Sequence, residues 1–391
     1  MKTIVVDHDS QTEIQGQQRF NKIIPLLRTY GAENLYTEWA DITLDAGIIT
    51  PREIQRYLDT DYKIIYALTV RTPGPHSHGE EAWLRELTTE IPDNIIELAN
   101  EGKLHIAYFV GEILTMKVDA VLEEVNKQLH FAGIKKEAIT VYIPNYKIDE
   151  LDVSHIKFVS IFELSYNFYL NNQSKIPINR NIIQTVNLEK RNKKFTCLNH
   201  LNKTHRLCFS ASLFNAGKHT DGYFSYHNKS LVEGEPSRYV TTINANNFLG
   251  HVPFLIDTEG SKEVNYHDTV LKPFFNDAYW NFATESFYAD YYALTEKTFK
   301  PIVNLQPFIV VGAPHSLEAL HKLGYETFSS VIDESYDYTE DHDRRMELLV
   351  EVALRLINMS DEQHIKIMTK IKPILEHNQR VFFSKHWKDM I

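Results

Sequence analysis

At 391 residues the chain exceeds what one hydrophobic core usually supports, so two domains are expected. Hydrophobic residues at 43% and charged residues at 24% are globular proportions and exclude a disordered chain. A formal charge of −11 excludes a protein that coats nucleic acid by bulk positive charge, and no run of about 18 apolar residues is present to cross a membrane.

The apolar part of Met1–His8 is too short for a signal peptide, so a cytoplasmic location is expected. From there, short β-rich runs alternate with helical-period segments, the pattern of an α/β layer. Predicted strands are Thr3–Val6, Tyr62–Val70, His105–Val110, Ile139–Ile143 and Ile156–Phe162. Predicted helices are Gln17–Tyr30, Pro51–Leu58, Ala82–Leu87, Asp93–Asn100 and Val118–Ala132. Pro92 and Asp93 signal the start of the fourth helix and Gly102 its stop. Strands joined through helices pair in parallel by right-handed crossovers.

The polar, Pro-containing stretch Tyr169–Asn179 reads as a seam, which places one α/β lobe at 1–175 and a second at 176–365. The second lobe has predicted strands Phe195–Leu198, Tyr223–Tyr226, Tyr239–Ile243, Phe308–Val311 and Thr327–Phe328. Its predicted helices are Arg206–Ala216, Tyr292–Val303, Ser316–Leu323 and Arg344–Met359. Asp361–Phe383 is a further helix, and 366–391 forms a C-terminal piece for which the N-terminal lobe is one packing surface. Cys197 and Cys208 match no zinc spacing and sit among apolar residues, so both are expected to be buried thiols.

One chemistry-bearing segment is Lys193–Arg206. A strand ends at Asn199, a polar loop follows, and a helix opens near His205 and Arg206. The carboxyl end of a strand in an open α/β sheet is where ligands settle, and a helix N-terminus suits a phosphate. Lys203, His205 and Arg206 add cationic donors there. A second segment holds Asn281-Phe-Ala-Thr-Glu285-Ser, then Tyr292, Thr295-Glu296-Lys297, and the apolar Pro307–Gly312 run. A carboxylate on such a helix can accept from two ribose hydroxyls, and the following lysine can face a diphosphate.

These stretches, Phe195–Arg206, Asn281–Ser286 and Tyr292–Gly312, resemble the C-terminal half of the α-1,3-fucosyltransferase family and related GT-B enzymes. The resemblance implies an α/β fold with two Rossmann-like lobes facing a central cleft. The acceptor lobe would be N-terminal and the nucleotide-sugar lobe C-terminal. Asn199, Lys203, His205, Arg206, Tyr292, Thr295, Glu296 and Lys297 are expected to bind the donor, and the likeness itself assigns three of them. Arg206 and Lys297 would take its phosphates and Glu296 its ribose, with Glu285 close to the donor sugar. Phe-Ala-Thr-Glu-Ser stands where the family has Phe-Glu-Asn-Ser, so a fucosyl donor is not implied. The nucleotide sugar is a co-substrate, and no metal or other cofactor is expected.

An inverting transferase needs a base for the acceptor hydroxyl. His76, His78 and Glu80, in the loop after strand Tyr62–Val70, are candidates, with Glu112 as another. Asp7-His8-Asp9 and Asp341-His342-Asp343 match the minimal Asp-x-Asp pattern of metal-dependent transferases, but neither is placed as that architecture requires. Asp333, Glu334 and Asp337 form an acidic loop suited to holding an arginine or bordering the cleft, or to a structural corner ion-paired to Arg344 or Arg345. The region Leu323–Arg345 also resembles uncharacterised proteins of large bacteriophages. From this comes one acceptor, a hydroxymethylated pyrimidine in phage DNA modified in the host cytoplasm, with Arg191, Lys193, Lys194, Lys203 and Arg206 available as a basic track. The other readings are transfer to a glycan or lipid-linked saccharide, and a non-catalytic nucleotide- or glycan-binding module.

Overall fold

The computed structural model describes residues 3–7, 48–49, 51–70, 91–110, 118–160, 163, 182–200, 202–227, 245–256, 272–289 and 292–385. The chain divides into two compact units, one of Met1–Ile161 with Trp387–Ile391, the other of Phe162–His386. Both are α/β, each built on a parallel sheet.

In the first unit the strands are β1 (Thr3–Asp7), β2 (Ile48–Ile49), β3 (Lys63–Val70), β4 (His105–Val110), β5 (Ile139–Ile143) and β6 (Ile156–Phe158). Their order is β2-β1-β3-β4-β5-β6, with every pairing parallel. All five residues of β5 are buried, as expected for a strand covered on both faces. Helix α1 (Asp93–Asn100) ends with Gly102 at φ 76°, and two backbone bonds close the turn: Gly102 N–H to Ala99 O and Lys103 N–H to Leu98 O. That closure needs a left-handed residue, which glycine adopts without steric cost. Helix α2 (Val118–Ala132) turns Val121, Val125 and Leu129, four residues apart, into a core shared with Tyr66, Ile106, Tyr108 and Val141.

The second unit contains β7 (Lys193–Asn199), β8 (Tyr223–Tyr226), β9 (Ala278–Thr284) and β10 (Phe308–Val311), in the order β10-β9-β7-β8. Its helices are α3 (Thr204–Asn215), α4 (Ala245–Leu249), α5 (Lys272–Asn276), α6 (Glu296–Val303), α7 (Ser316–Lys322), α8 (His342–Ile357) and α9 (Asp361–Ser384). The chain leaves β7 through α3 to reach β8 on one side, then returns past β7 to lay down β9 and β10 on the other. Phe195 of β7 stacks on Phe282 of β9 with ring centroids 4.8 Å apart, and both rings are buried. Helix α8 packs on α3, and α9 packs on α6 of this same unit.

Several expected elements differ. Pro51–Arg56 is a 3-10 helix rather than an α-helix. Thr327 and Phe328 form no strand. Thr327 Oγ1 and Phe328 N–H instead donate to the Glu334 carboxylate, at 2.8 and 2.7 Å. The helix expected from Tyr292 begins at Glu296, where Thr295 Oγ1 caps it by accepting from Lys297 N–H. Strand β9 lay partly hidden in the sequence because Asn281 interrupts its apolar run. The Asn281 amide is buried and donates to Gln306 Oε1 at 3.1 Å. Gln17–Tyr30, Ala82–Leu87, Tyr239–Ile243 and the seam at 169–179 lie outside the described residues.

Candidate functional site

The reversal of strand order between β7 and β9 makes a switch point, and ligands of open α/β sheets bind outside the carboxyl ends of the strands at such a point. The two strand ends are tied together there. Thr284 Oγ1, at the end of β9, donates to Asn199 Oδ1, at the end of β7, at 2.7 Å. Asn199 Nδ2 donates to Ser210 Oγ of α3 at 3.3 Å, and Asn199 N–H to Ser225 Oγ of β8 at 3.2 Å. Asn199 is thereby a buried cross-tie beneath the site. Just above it Lys203 occupies the N-cap position of α3 and supplies no side-chain cap, so the positive end of that helix dipole faces the carboxyl edge.

Around Glu285, which follows β9, four elements converge. Its backbone carbonyl accepts from His205 Nε2 at 2.9 Å and from Arg206 Nε and Nη2 at 3.2 and 2.9 Å. Its carboxylate accepts four donors. Oε1 takes Thr295 N–H at 3.0 Å and Thr298 Oγ1 at 2.6 Å, while Oε2 takes Ser286 N–H at 3.1 Å and Thr295 Oγ1. Gly312, after β10, abuts it closely. A Cβ there would lie 3.2 Å from Glu285 Cβ.

The cations meet at Ser286. Lys203 Nζ donates to the Ser286 carbonyl at 2.6 Å and sits 4.3 Å from the Phe287 ring centroid. Lys297 Nζ donates to Ser286 Oγ at 3.2 Å and to Glu296 Oε1 at 2.7 Å. Burial pushes Lys203 down to about 8, and repulsion from Arg206 and Lys297 acts in the same direction. Burial also lowers Arg206, against the attraction of Glu285 and Glu296. His205 is held well below its ordinary range by burial and by Arg206. A carbonyl only accepts, so His205 carries a proton on Nε2.

Of the residues expected at the donor site, Asn199, Lys203, His205, Arg206, Thr295, Glu296 and Lys297 therefore lie along this one edge, from two segments far apart in sequence. Tyr292 is half-buried four residues before α6. Arg206 differs from expectation in one respect. Its Nε and Nη2 hold a backbone carbonyl, so the bidentate face expected for phosphate is already engaged. Sequence reasoning missed Ser286 and Thr298 as partners, and it missed an outer layer. There the Tyr288 ring stacks with His205 at 5.3 Å and lies 4.2 Å from the Arg345 guanidinium, whose Nη1 donates to Thr339 O at 2.7 Å.

Other expectations resolve differently. Arg191, Lys193, Lys194, Lys203 and Arg206 do not form a track, because β7 separates them. Lys193 and Lys194 begin the strand, and Lys203 lies beyond its end. Lys194 is ion-paired to Asp361 at 2.6 Å, and the buried Arg191 donates to the Ala278 carbonyl at 2.6 Å. The acidic loop holds backbone rather than arginine. Asp337 accepts from Leu317 and Glu318 N–H at 2.9 and 3.2 Å, and Asp333 accepts from Ser335 N–H at 3.0 Å. Arg344 pairs with Glu347 instead. Asp341 caps α8 by accepting from Arg344 N–H at 2.7 Å. Cys197 and Cys208 are buried, and burial pushes the Cys197 thiol up to about 12. Among the described residues no group of three or more His, Cys, Asp or Glu converges on a metal position, and no helix is long and apolar enough to cross a membrane. His76, His78, Glu80, Glu112, His8 and Asp9 lie outside the described residues.

No family model matches the chain. No curated protein matches it either. Among solved structures it is similar to an alpha1,3-fucosyltransferase, at 11% identity and a TM-score of 0.35, over 97% of this chain and 91% of that one. It is also similar to the N-terminal domain of a Candida albicans trehalose-6-phosphate phosphatase, at 10% identity and a TM-score of 0.38, over 85% and 70%. A third similar structure is the glycotransferase of kitacinnamycin, at 10% identity and a TM-score of 0.30, over 84% and 91%.

Proposed function

We propose that the chain is a glycosyltransferase of GT-B type whose second unit binds the diphosphate of a nucleotide sugar at the carboxyl ends of β7 and β9. The observation that carries this reading is the convergence of the Lys203 and Lys297 ammonium groups on Ser286, at 2.6 and 3.2 Å, beside the switch point of a parallel sheet. Two ammonium groups and an uncapped helix start make an anion site. Glu296, in the first turn of α6, is the candidate for the ribose hydroxyls, and Lys297 Nζ donates to its Oε1.

In the reaction this supports, an acceptor hydroxyl attacks the anomeric carbon. The new carbon–oxygen bond forms as the bond to the diphosphate breaks, and the hydroxyl proton passes to a base. His76, His78 and Glu80 of the first unit remain the candidates for that base. Charge building on the departing diphosphate is met by Lys203 and Lys297 already in position, with Arg206 adding field from beneath. Binding energy that grows with leaving-group charge lowers the barrier, whereas equal binding of donor and transition state would not.

A panel of nucleotide sugars tested by thermal denaturation checks the donor class, because a ligand of the native state raises Tm. Stabilisation by one nucleotide class, lost in Lys297→Ala and Glu296→Ala, is expected. Unchanged donor binding and donor hydrolysis in both variants would refute the assignment. For the acceptor, a gel shift with hydroxymethylated and plain DNA separates nucleic acid from saccharide. Absence of salt-sensitive binding to either DNA excludes the phage-DNA reading.

A further inference from the structure

We propose that Glu285 is a positioning residue and not a proton-transfer group: it latches the first turn of α6 to the end of β9 and so fixes the spacing of Lys203, Ser286 and Lys297. This deepens the anion-site reading above and rests on it. An ionised carboxylate has about four lone-pair positions, and here each oxygen of Glu285 already accepts two hydrogen bonds. The side chain is 1% exposed, so no acceptor hydroxyl reaches it. A general base must lie within hydrogen-bond reach of the proton it takes, with a lone pair to receive it. Glu285 has neither.

What the four bonds do is mechanical. Thr295 is the N-cap of α6 and Thr298 lies in its first turn, so bonds to both hold the helix start in place. Ser286 is the residue on which both lysines close, and its N–H is held by the same carboxylate. On the other side, the Glu285 carbonyl is gripped by His205 and Arg206, which ties α3 to the same point. One residue therefore joins the two sequence segments that carry the lysines. A Cβ at Gly312 would lie 3.2 and 3.3 Å from Glu285 Cβ and Cγ, so any larger residue there presses on this side chain.

The test uses the full chain and the variants Glu285→Gln and Thr298→Val, with inorganic pyrophosphate as probe well below Tm. Amide hydrogen exchange is followed at Ser286 and Thr295. A glutamine amide would point a donor at the N–H of Ser286 or of Thr295, depending on its flip, whereas Thr298→Val removes a single hydroxyl and keeps the fold within reach if the first variant fails to fold. Expected results are pyrophosphate binding weakened about tenfold in Glu285→Gln and less in Thr298→Val, with faster exchange at both amides in each. Donor turnover abolished with pyrophosphate affinity and exchange unchanged would identify Glu285 as the base and overturn the proposal. A lowered Tm with unchanged affinity and exchange would also overturn it. If the wild-type chain bound no pyrophosphate, the donor reading would fall. The exchange data would still judge the latch: Ser286 and Thr295 amides protected in the wild type and exposed in Thr298→Val uphold it, and amides unprotected in the wild type refute it.

Discussion

The two edges of the second sheet carry similar cations in opposite circumstances. At the amino edge Lys190 and Lys194 both bond to Asp361, at 2.9 and 2.6 Å, and the Asp361 partner raises Lys190 above its ordinary value. At the carboxyl edge Lys203 faces a carbonyl and an aromatic ring, and burial with two neighbouring cations pushes it down to about 8. Of the carboxylates at this edge, Glu285 is committed to hydroxyl and backbone donors, while Glu296 accepts from Lys297 at 2.7 Å. Placement of carboxylates, rather than the number of lysines, decides which of these lysines has an acidic partner: Lys194 and Lys297 do, and Lys203 meets a carbonyl.

The sharpest way to break that contrast is to remove a lysine from each edge. Lys203→Met is expected to cost at least about tenfold in pyrophosphate affinity, the scale of one charge-assisted hydrogen bond. Because burying an ammonium is itself unfavourable, the same variant should match or exceed the wild-type Tm. Lys194→Met should leave pyrophosphate affinity unchanged and lower stability by no more than about 1 kcal/mol, because Asp361 keeps Lys190 as a partner.

A second test uses pH. Pyrophosphate favours protonated Lys203, which in the unliganded protein loses its proton near 8 instead of at 10.5. Affinity should therefore fall as pH rises past that value, by up to about tenfold per unit. Over the same window the unfolded chain keeps a proton that the native chain has released, so the Lys203 contribution to native stability rises with pH. Calorimetric titration and denaturant melts across this range read both signs.

Smaller effects come from glycines. In Gly222→Ala the new Cβ would meet the Phe195 ring at 2.5 Å, so the ring or the strand must shift. A loss of about 1–3 kcal/mol is expected from such overpacking just before β8. Gly312→Ala is milder in contact, at 3.1 to 3.3 Å from Val310 and Glu285. It should nevertheless weaken pyrophosphate binding more than Gly222→Ala does, since it presses on Glu285. Denaturant melts paired with pyrophosphate titrations rank the two.

Where local chemistry sets an element, the sequence was readable. β4, β5 and β10 are compact apolar runs, α1 has its proline start and glycine stop, and each matches its expected bounds. β9 was harder, because Asn281 and Gln306 satisfy each other only once distant strands meet. The site divides the same way. Lys203, Arg206, Glu296 and Lys297 stand out by residue type next to strand ends and helix starts. That Arg206 grips a backbone carbonyl, that Glu285 serves the threonines of α6, and that Arg345 lies against Tyr288 depend on contacts between residues 10 to 79 positions apart. No local pattern encodes those pairings. The acidic loop misled for a related reason: its carboxylates satisfy nearby backbone N–H groups, which composition cannot distinguish from a search for arginine.

Titration calorimetry of pyrophosphate into the wild type and Lys203→Met at neutral pH, each with a thermal melt, puts the most direct question to the carboxyl edge. Salt-sensitive binding by the wild type is expected, with a loss of at least about tenfold in a variant that melts no lower. Equal affinity in the two proteins would contradict that expectation.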